Sequence, residues 1–187
     1  YFFMEVARLK SVTAAARSIH LSQPAITQAV ANVELYFNTT LLNRISSGVT
    51  LTDAGLLCQE RIARAFSQFQ EGVSELLKSA PAATRAKLIR SLTTAQIDAL
   101  LALVEHRNFS AAARARSVSQ PTIYRTARDL ERLLNIPLFE RTSYGVVPTR
   151  DAERFARRAK LAVAEIAQAQ AEISSMIAGE SGRTVVG

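Results

Sequence analysis

The chain repeats itself. Thr13-Ala14-Ala15-Ala16-Arg17 returns as Ser110-Ala111-Ala112-Ala113-Arg114, and Ser22-Gln23-Pro24 as Ser119-Gln120-Pro121, both 97 residues later. At the same offset Glu34, Asn38, Leu41, Arg44, Gly48, Val49 and Thr52 recur as Glu131, Asn135, Leu138, Arg141, Gly145, Val146 and Thr149. A fixed offset kept without insertion over about fifty positions marks a duplicated fold unit. Recurrence of Glu34 as Glu131 in both copies is explained better by fold than by catalysis. A chain of 187 residues leaves each copy the size of one small domain.

Periodicity and capping residues outline one copy. Phe2, Phe3, Val6 and Leu9 have helical spacing. Thr13 reads as the N-cap of a short second helix, Ala14–Ile19, and His20-Leu21 as a turn. Ser22 caps a third helix whose first turn holds Pro24, where a missing N–H costs nothing. Ile26, Val30, Val33 and Phe37 share its inner face, and Asn38 ends it. Leu41–Arg44 and Val49–Leu51, split by Ser47-Gly48, read as a two-stranded wing. Thr52 caps a long fourth helix to about Lys78.

The second copy repeats this order. Thr93 or Thr94, Ser110, Ser119 and Thr149 are its expected caps, Leu138–Arg141 and Val146-Val147 its wing around Tyr144-Gly145. Ala80–Ser91, with Pro81, Arg85, Lys87 and Arg90, reads as a linker. Arg116 stands where the first copy has Ile19, so its charge must reach solvent or a partner, and a looser core is expected there.

Short second helix, tight turn, capped third helix and wing form a winged helix-turn-helix. In that arrangement the second helix braces the third, whose first turn enters the major groove. The alanine pairs allow close helix approach, and amide and guanidinium side chains at the groove end suit base edges. The free N–H groups at the caps Ser22 and Ser119 suit phosphates.

The alanine pair, Ser-Gln-Pro and a wing ending Leu138-Phe139-Glu140-Arg141-Thr142 before a capped long helix resemble the DNA-binding domain of LysR-type transcriptional regulators. The likeness covers nearly the whole chain. It implies groove-reading residues Gln23, Pro24, Thr27 and Gln28 with Arg44 at the wing in the first copy. In the second it implies Gln120, Pro121, Tyr124 and Arg125 with Arg141. Thr122 and Arg128 belong to the same expected surface. The family commonly has Ser-Arg where this chain has Thr27-Gln28 and Tyr124-Arg125. An ordinary member has one unit, a linker helix and an effector-binding domain, and two chains pair through their linker helices. The resemblance therefore implies no cofactor here, and a small-molecule effector held by a further C-terminal domain whose first strand would begin near Arg183-Thr184-Val185-Val186-Gly187. A frayed tail is the plainer alternative for that segment. Both ends read as cut: the first copy lacks the cap and first turn that Thr93–Ile97 supply in the second.

Composition narrows the function. The net charge is +7, which fits a polyanionic partner. Residues 1–80 hold seven Lys+Arg and six Asp+Glu, a net of +1; residues 81–187 hold sixteen and ten, a net of +6. Arg125, Arg128 and Arg132 lie on the second copy's third helix, whereas the first copy's has no Lys or Arg from Ser22 to Phe37. The plainer readings are a solvated face for the arginines and a scaffold role for the first copy. One cysteine, Cys58, permits no internal disulfide, and together with the absence of an apolar run of about 20 residues this fits a cytoplasmic protein rather than a membrane one. His20 and His106 are far apart in the repeat frame, and neither a metal cluster nor a nucleophile with its base is visible, so no enzyme is expected.

Ile62, Phe66, Phe69, Val73 and Leu76 in the first long helix step by three and four. Phe155, Ala159, Ala162, Ile166, Ala169, Ile173 and Met176 do so in the second. Each helix packs on its own domain or on a partner helix. Large residues in one and small in the other fit antiparallel packing of the two. One chain would then imitate a dimer, with third helices roughly 34 Å or a multiple apart; a homodimer through like helices is the competing arrangement.

The expectation is a mostly α chain of two tandem winged helix-turn-helix domains, each followed by a long linker helix. Residues 1–52 form the first domain, 53–78 its linker helix, 79–92 a connecting segment, 93–149 the second domain, 150–178 its linker helix and 179–187 a tail. The function expected is sequence-specific binding of double-stranded DNA with two unlike half-sites. The alternative is a protein-interaction or architectural module.

Overall fold

In the computed structural model, residues 1–143 and 145–183 are described. Nine helices and two hairpins follow in order among them: α1 Phe2–Leu9, α2 Val12–Ser18, α3 Gln23–Phe37, β1 Leu42–Ile45, β2 Gly48–Leu51, α4 Asp53–Leu76, α5 Ala82–Ser91, α6 Thr94–His106, α7 Phe109–Ala115, α8 Gln120–Leu134, β3 Phe139–Thr142, β4 Gly145–Pro148 and α9 Arg150–Arg183. The expected mostly helical pair of winged helix-turn-helix domains is thus present. No helix among the described residues is long and apolar enough to cross a membrane.

The chain divides into two compact units. The first holds Tyr1–Ala65 and the described residues from Ala164 onward; the second holds the described residues of Phe66–Val163. The long helices α4 and α9 each contribute to both, so the units do not follow the sequence boundaries between the copies.

In the first unit α1, α2 and α3 bury Val6, Ala15, Ala16, Ile26 and Val30. In the second, α6, α7 and α8 bury Leu100, Leu103, Ala112, Ala113, Ile123 and Leu130. The alanine pairs are 0% and 4% exposed in both copies, which is how closely their neighbouring helices approach. Arg116 is exposed at the end of α7, so its charge reaches solvent, and Ala112 and Ala113 stay as buried as Ala15 and Ala16.

The duplication reaches the backbone. Left-handed residues occur at Lys10, His20 and Asn38 and, 97 positions on, at Arg107, Ser117 and Asn135. Gly48 and Gly145 have φ of 140° and 135°. Val49 N–H donates to the Lys10 carbonyl and Val146 N–H to that of Arg107, each at 3.0 Å. A Cβ on Gly48 would lie 2.3 Å from Lys10 O, and one on Gly145 2.8 Å from Arg107 O. Only glycine meets both demands. Tyr144, expected at the wing turn, lies outside the described residues.

Each wing is also held from the third helix. Glu34 Oε1 accepts from Leu41 N–H at 2.8 Å and Leu42 N–H at 3.2 Å; Glu131 Oε1 accepts from Leu138 N–H at 2.8 Å and Phe139 N–H at 3.0 Å. The repeated glutamate is a backbone clamp. Thr52 and Thr149 cap α4 and α9 as expected, accepting from Gly55 N–H and Ala152 N–H.

Several expectations need correction. Ser11 and Asn108 cap the second helices, not Thr13 and Ser110, which lie two residues inside. Residues 82–91 of the expected linker are helical, because Pro81 precedes a run of good helix formers rather than interrupting one. Helix α9 continues through Ser181 and Gly182 to Arg183, where an end at about Ala178 was expected. The proposed strand at 184–187 lies outside the described residues.

The long helices pack within each unit. In the first, Cys58, Ala169 and Ile173 share a core with Phe3, Phe37 and Leu41, and Ile62 and Ile166 pack against it. In the second, Val73, Phe155 and Ala159 share a core that Phe66, Phe69 and Leu76 join. Ala162 is buried as well, 1% exposed. Burial pushes the Cys58 thiol up to about 12.

Candidate nucleic-acid interface

The exposed first turn of each third helix is built alike. Ser22 Oγ accepts from Ala25 N–H and Ser119 Oγ from Thr122 N–H, each at 3.3 Å. Pro24 and Pro121 occupy the first turn, where no N–H is needed. The Thr13 hydroxyl donates to Gln23 Oε1 at 3.3 Å, and the Ser110 hydroxyl donates to Gln120 Oε1 at 2.9 Å. The hydroxyl residues misread as caps thus each engage a glutamine's side-chain carbonyl. The repeat at 13 and 110, ten residues before each glutamine, was the available signal.

Beyond that turn the copies part. In α3 the Thr27 hydroxyl donates back to the Gln23 carbonyl at 3.0 Å, and Gln28 Nε2 donates to Asn32 Oδ1 at 3.0 Å. Arg44 stands exposed on β1, paired in the ladder with Val49, and its side chain makes no hydrogen bond or ion pair with a described residue. The first unit's surface is therefore mainly amide and hydroxyl.

In the second unit Tyr124 is half-buried against Phe109, ring edge to ring face, centroids 5.5 Å apart. The Arg141 guanidinium lies 4.5 Å from the Tyr124 centroid and 5.5 Å from that of Phe109; the Arg128 guanidinium lies 5.5 Å from Tyr124. Cation and ring attract through the ring quadrupole, and the pairing fixes all four side chains. Arg128 hydrogen-bonding to the phenol, and the Arg128 and Arg141 charges, lower the Tyr124 pKa. The first copy has Val12, Thr27, Ala31 and Arg44 at these positions and forms no such cluster. Phe109 was not foreseen, because nothing in the sequence sets it apart from an ordinary apolar residue at the start of α7.

The arginines of α8 are not alike. Arg128 is bound to Glu131 at 2.7 Å, and Arg132 to Asp129. Arg125 is exposed and makes no hydrogen bond or ion pair with a described residue. Thr122 shares a hydroxyl–hydroxyl contact of 2.8 Å with Ser119.

A duplicated winged helix-turn-helix with polar, partly unpartnered side chains at its exposed helix ends is a regulatory architecture. The family model described as bacterial regulatory helix-turn-helix protein, lysR family, matches residues 1–56 and 94–153. The chain belongs to this family, which consists of regulators and not enzymes.

The HTH-type transcriptional regulator GalR of Pseudomonas putida is 31% identical over 147 residues, covering 79% of this chain and 36% of the relative. An aligned stretch of that share reaches from one copy into the other. The HTH-type transcriptional regulator GbpR of Rhizobium radiobacter is 36% identical over 90 residues, 47% of this chain and 30% of the relative. The chain thus spans about a third of the length of these relatives. Among solved structures, a complex of the BenM DNA-binding domain with catB site 1 DNA has 25% identity and a TM-score of 0.40, covering 51% of this chain and 99% of that one. A Vibrio fischeri DarR–DNA complex has 29% identity and a TM-score of 0.42, covering 46% and 29%.

Proposed function

We propose that this chain binds double-stranded DNA sequence-specifically for transcriptional control. Gln120, Pro121, Tyr124 and Arg125 are the reading end of the second unit, and Gln23, Pro24, Thr27 and Gln28 that of the first. The observation that carries the reading is Arg125, an exposed cation whose side chain has no partner among the described residues, five positions along α8 from a glutamine whose carbonyl is already engaged. A guanidinium so placed can make two bonds to a guanine edge. Arg44 and Arg141 supply phosphate contacts, which position without specifying. Thr27-Gln28 differs from Tyr124-Arg125, so the preferred site has two unlike halves.

One chain supplies both reading ends, with α4 and α9 standing in for the linker helices of two single-unit chains. Their packing within each unit supports this arrangement. We assign recognition of a small-molecule effector to sequence such as the relatives carry beyond the matched region, and the working compartment to the cytoplasm.

Anisotropy titration with duplex DNA at rising salt tests the reading, with footprinting and light scattering on the same samples. The expected result is steeply salt-dependent, sequence-selective binding by a one-chain species that protects an asymmetric site. Binding indifferent to both salt and sequence would favour an architectural module instead.

A further inference from the structure

Two arginine clusters tie α4 to α9, one inside each unit. In the first, Arg61 donates to Glu165 at 2.8 Å, to Gln168 at 2.8 Å and to Glu172. In the second, Arg158 donates to Gln68 at 3.1 Å and Glu75 at 2.8 Å and lies 2.6 Å from Glu71. Adding 97 to Arg61 gives Arg158; subtracting it from Glu165, Gln168 and Glu172 gives Gln68, Glu71 and Glu75. The same contact is thus made twice with the helices exchanging roles, the reciprocal pattern of a self-complementary interface. Each cluster has one arginine, two carboxylates and one amide. Pairing like helices would give the same groups, so the clusters set register without choosing the partner.

Side-chain size does choose. In the second unit Phe155 is fully buried, and a Cβ on Gly72 would lie 2.9 Å from its Cδ2, 3.2 Å from its Cε2 and 3.1 Å from Arg158 Cβ. The counterparts of Phe155 and Gly72 at the 97-residue offset are Cys58 and Ala169, which share the first unit's core and are both fully buried. A large residue meets glycine in one unit, and a small one meets alanine in the other. In this register an α9–α9 pair would set Phe155 against Ala169, whose methyl would occupy the space the ring fills. An α4–α4 pair would set Cys58 against Gly72 and leave a void, which costs both lost contacts and solvent transfer.

We infer that Phe155–Gly72 and Cys58–Ala169 form a size code that directs α4 to pair with α9, here of the same chain, and rejects like-helix pairing with a second copy. The code extends the one-chain arrangement proposed above and needs no DNA for its test. Gly72→Ala in an unconstrained helix would raise stability through helix propensity. Here it is expected to lower Tm, by roughly 2–4 °C or more on the scale for a chain of this size. In a Phe155→Leu background, a milder truncation than Ala, the same substitution is expected to raise Tm. Light scattering of the unmodified chain from low to high micromolar concentration is expected to give the one-chain mass, 20.4 kDa. A one-chain mass with Gly72→Ala stabilising in both backgrounds overturns the size code and leaves the one-chain arrangement standing. A two-chain mass that persists at low micromolar concentration overturns the one-chain arrangement, and with Gly72→Ala stabilising in both backgrounds it overturns the code as well.

Discussion

At the scale of single residues, the chief departure from expectation is Arg141. The sequence sets it on the wing among the expected DNA-facing residues, and the structure adds that its guanidinium lies over Tyr124 and Phe109. On the proposed reading it has two separable effects, charge toward the DNA backbone and support of the Tyr124 ring. Phe109→Val installs the first copy's residue without altering charge. It should leave the salt slope unchanged while weakening preference for the second unit's half-site. Arg141→Ala should do both, relaxing preference and lowering the slope by about one. Anisotropy over a salt series on matched and mismatched duplexes separates these outcomes; a reduced slope from Phe109→Val would show that the ring pair acts through general affinity. Arg125→Ala should cost roughly 1–3 kcal/mol against the preferred base and little against the others.

At the scale of elements, the glutamate clamps and the first helix pair carry distinct predictions. Glu131 accepts two buried wing amides, and its removal leaves both without a partner. Glu131→Ala should therefore destabilise by about 1–3 kcal/mol or more, seen as a lower thermal midpoint of the second unit. The first unit has a further tie that the second lacks, since Glu5 is replaced there by Ala102. Arg8 and the Ser18 hydroxyl both donate to Glu5 Oε1 at 2.6 Å, joining α1 to α2. The Arg8 hydrogen bond, then that of Ser18, holds the Glu5 carboxyl below its usual pKa. The fold favours the ionised form, so the contribution is full above the ordinary glutamate pKa and is lost as pH falls through the lowered value. Glu5→Gln should flatten that acid limb in circular dichroism melts of the chain. Most elements were legible because caps and left-handed ends use few residue types: Ser22, Asn38, Thr52 and their repeats were placed correctly. Ser11 and Asn108 were missed because Thr13 and Ser110, two positions later, are equally good caps by composition. The helix at 82–91 was missed because a proline before a helix and one inside a linker look alike. The clusters around Tyr124 and Gly72 were not legible at all, since they depend on which side chains meet across elements.

At the scale of the whole molecule, duplication without equality is the property with the clearest consequence for binding. Residues 81–187 carry nearly all the net positive charge, and α8 offers Arg125 where α3 offers Gln28 already bound to Asn32. Not every arginine adds to this asymmetry, because Arg128 and Arg132 are partnered along their own helix. Counterion release scales with the number of phosphates neutralised, so the salt slope counts the cations that remain available. Arg141→Ala and Arg44→Ala should each remove about one from that slope, while Arg125→Ala, whose guanidinium is assigned to a base edge, should leave it near its original value. Gln28→Ala should leave the slope intact and change only the preference at the first unit's half-site. The decisive measurement is a set of duplexes in which either half-site is scrambled, titrated with each variant. Scrambling the second unit's half should cost the unmodified chain more affinity, and Arg125→Ala should abolish that difference. Equal losses from scrambling either half, or equal effects of Arg125→Ala and Gln28→Ala, would mean that the two copies share the reading evenly despite their charge.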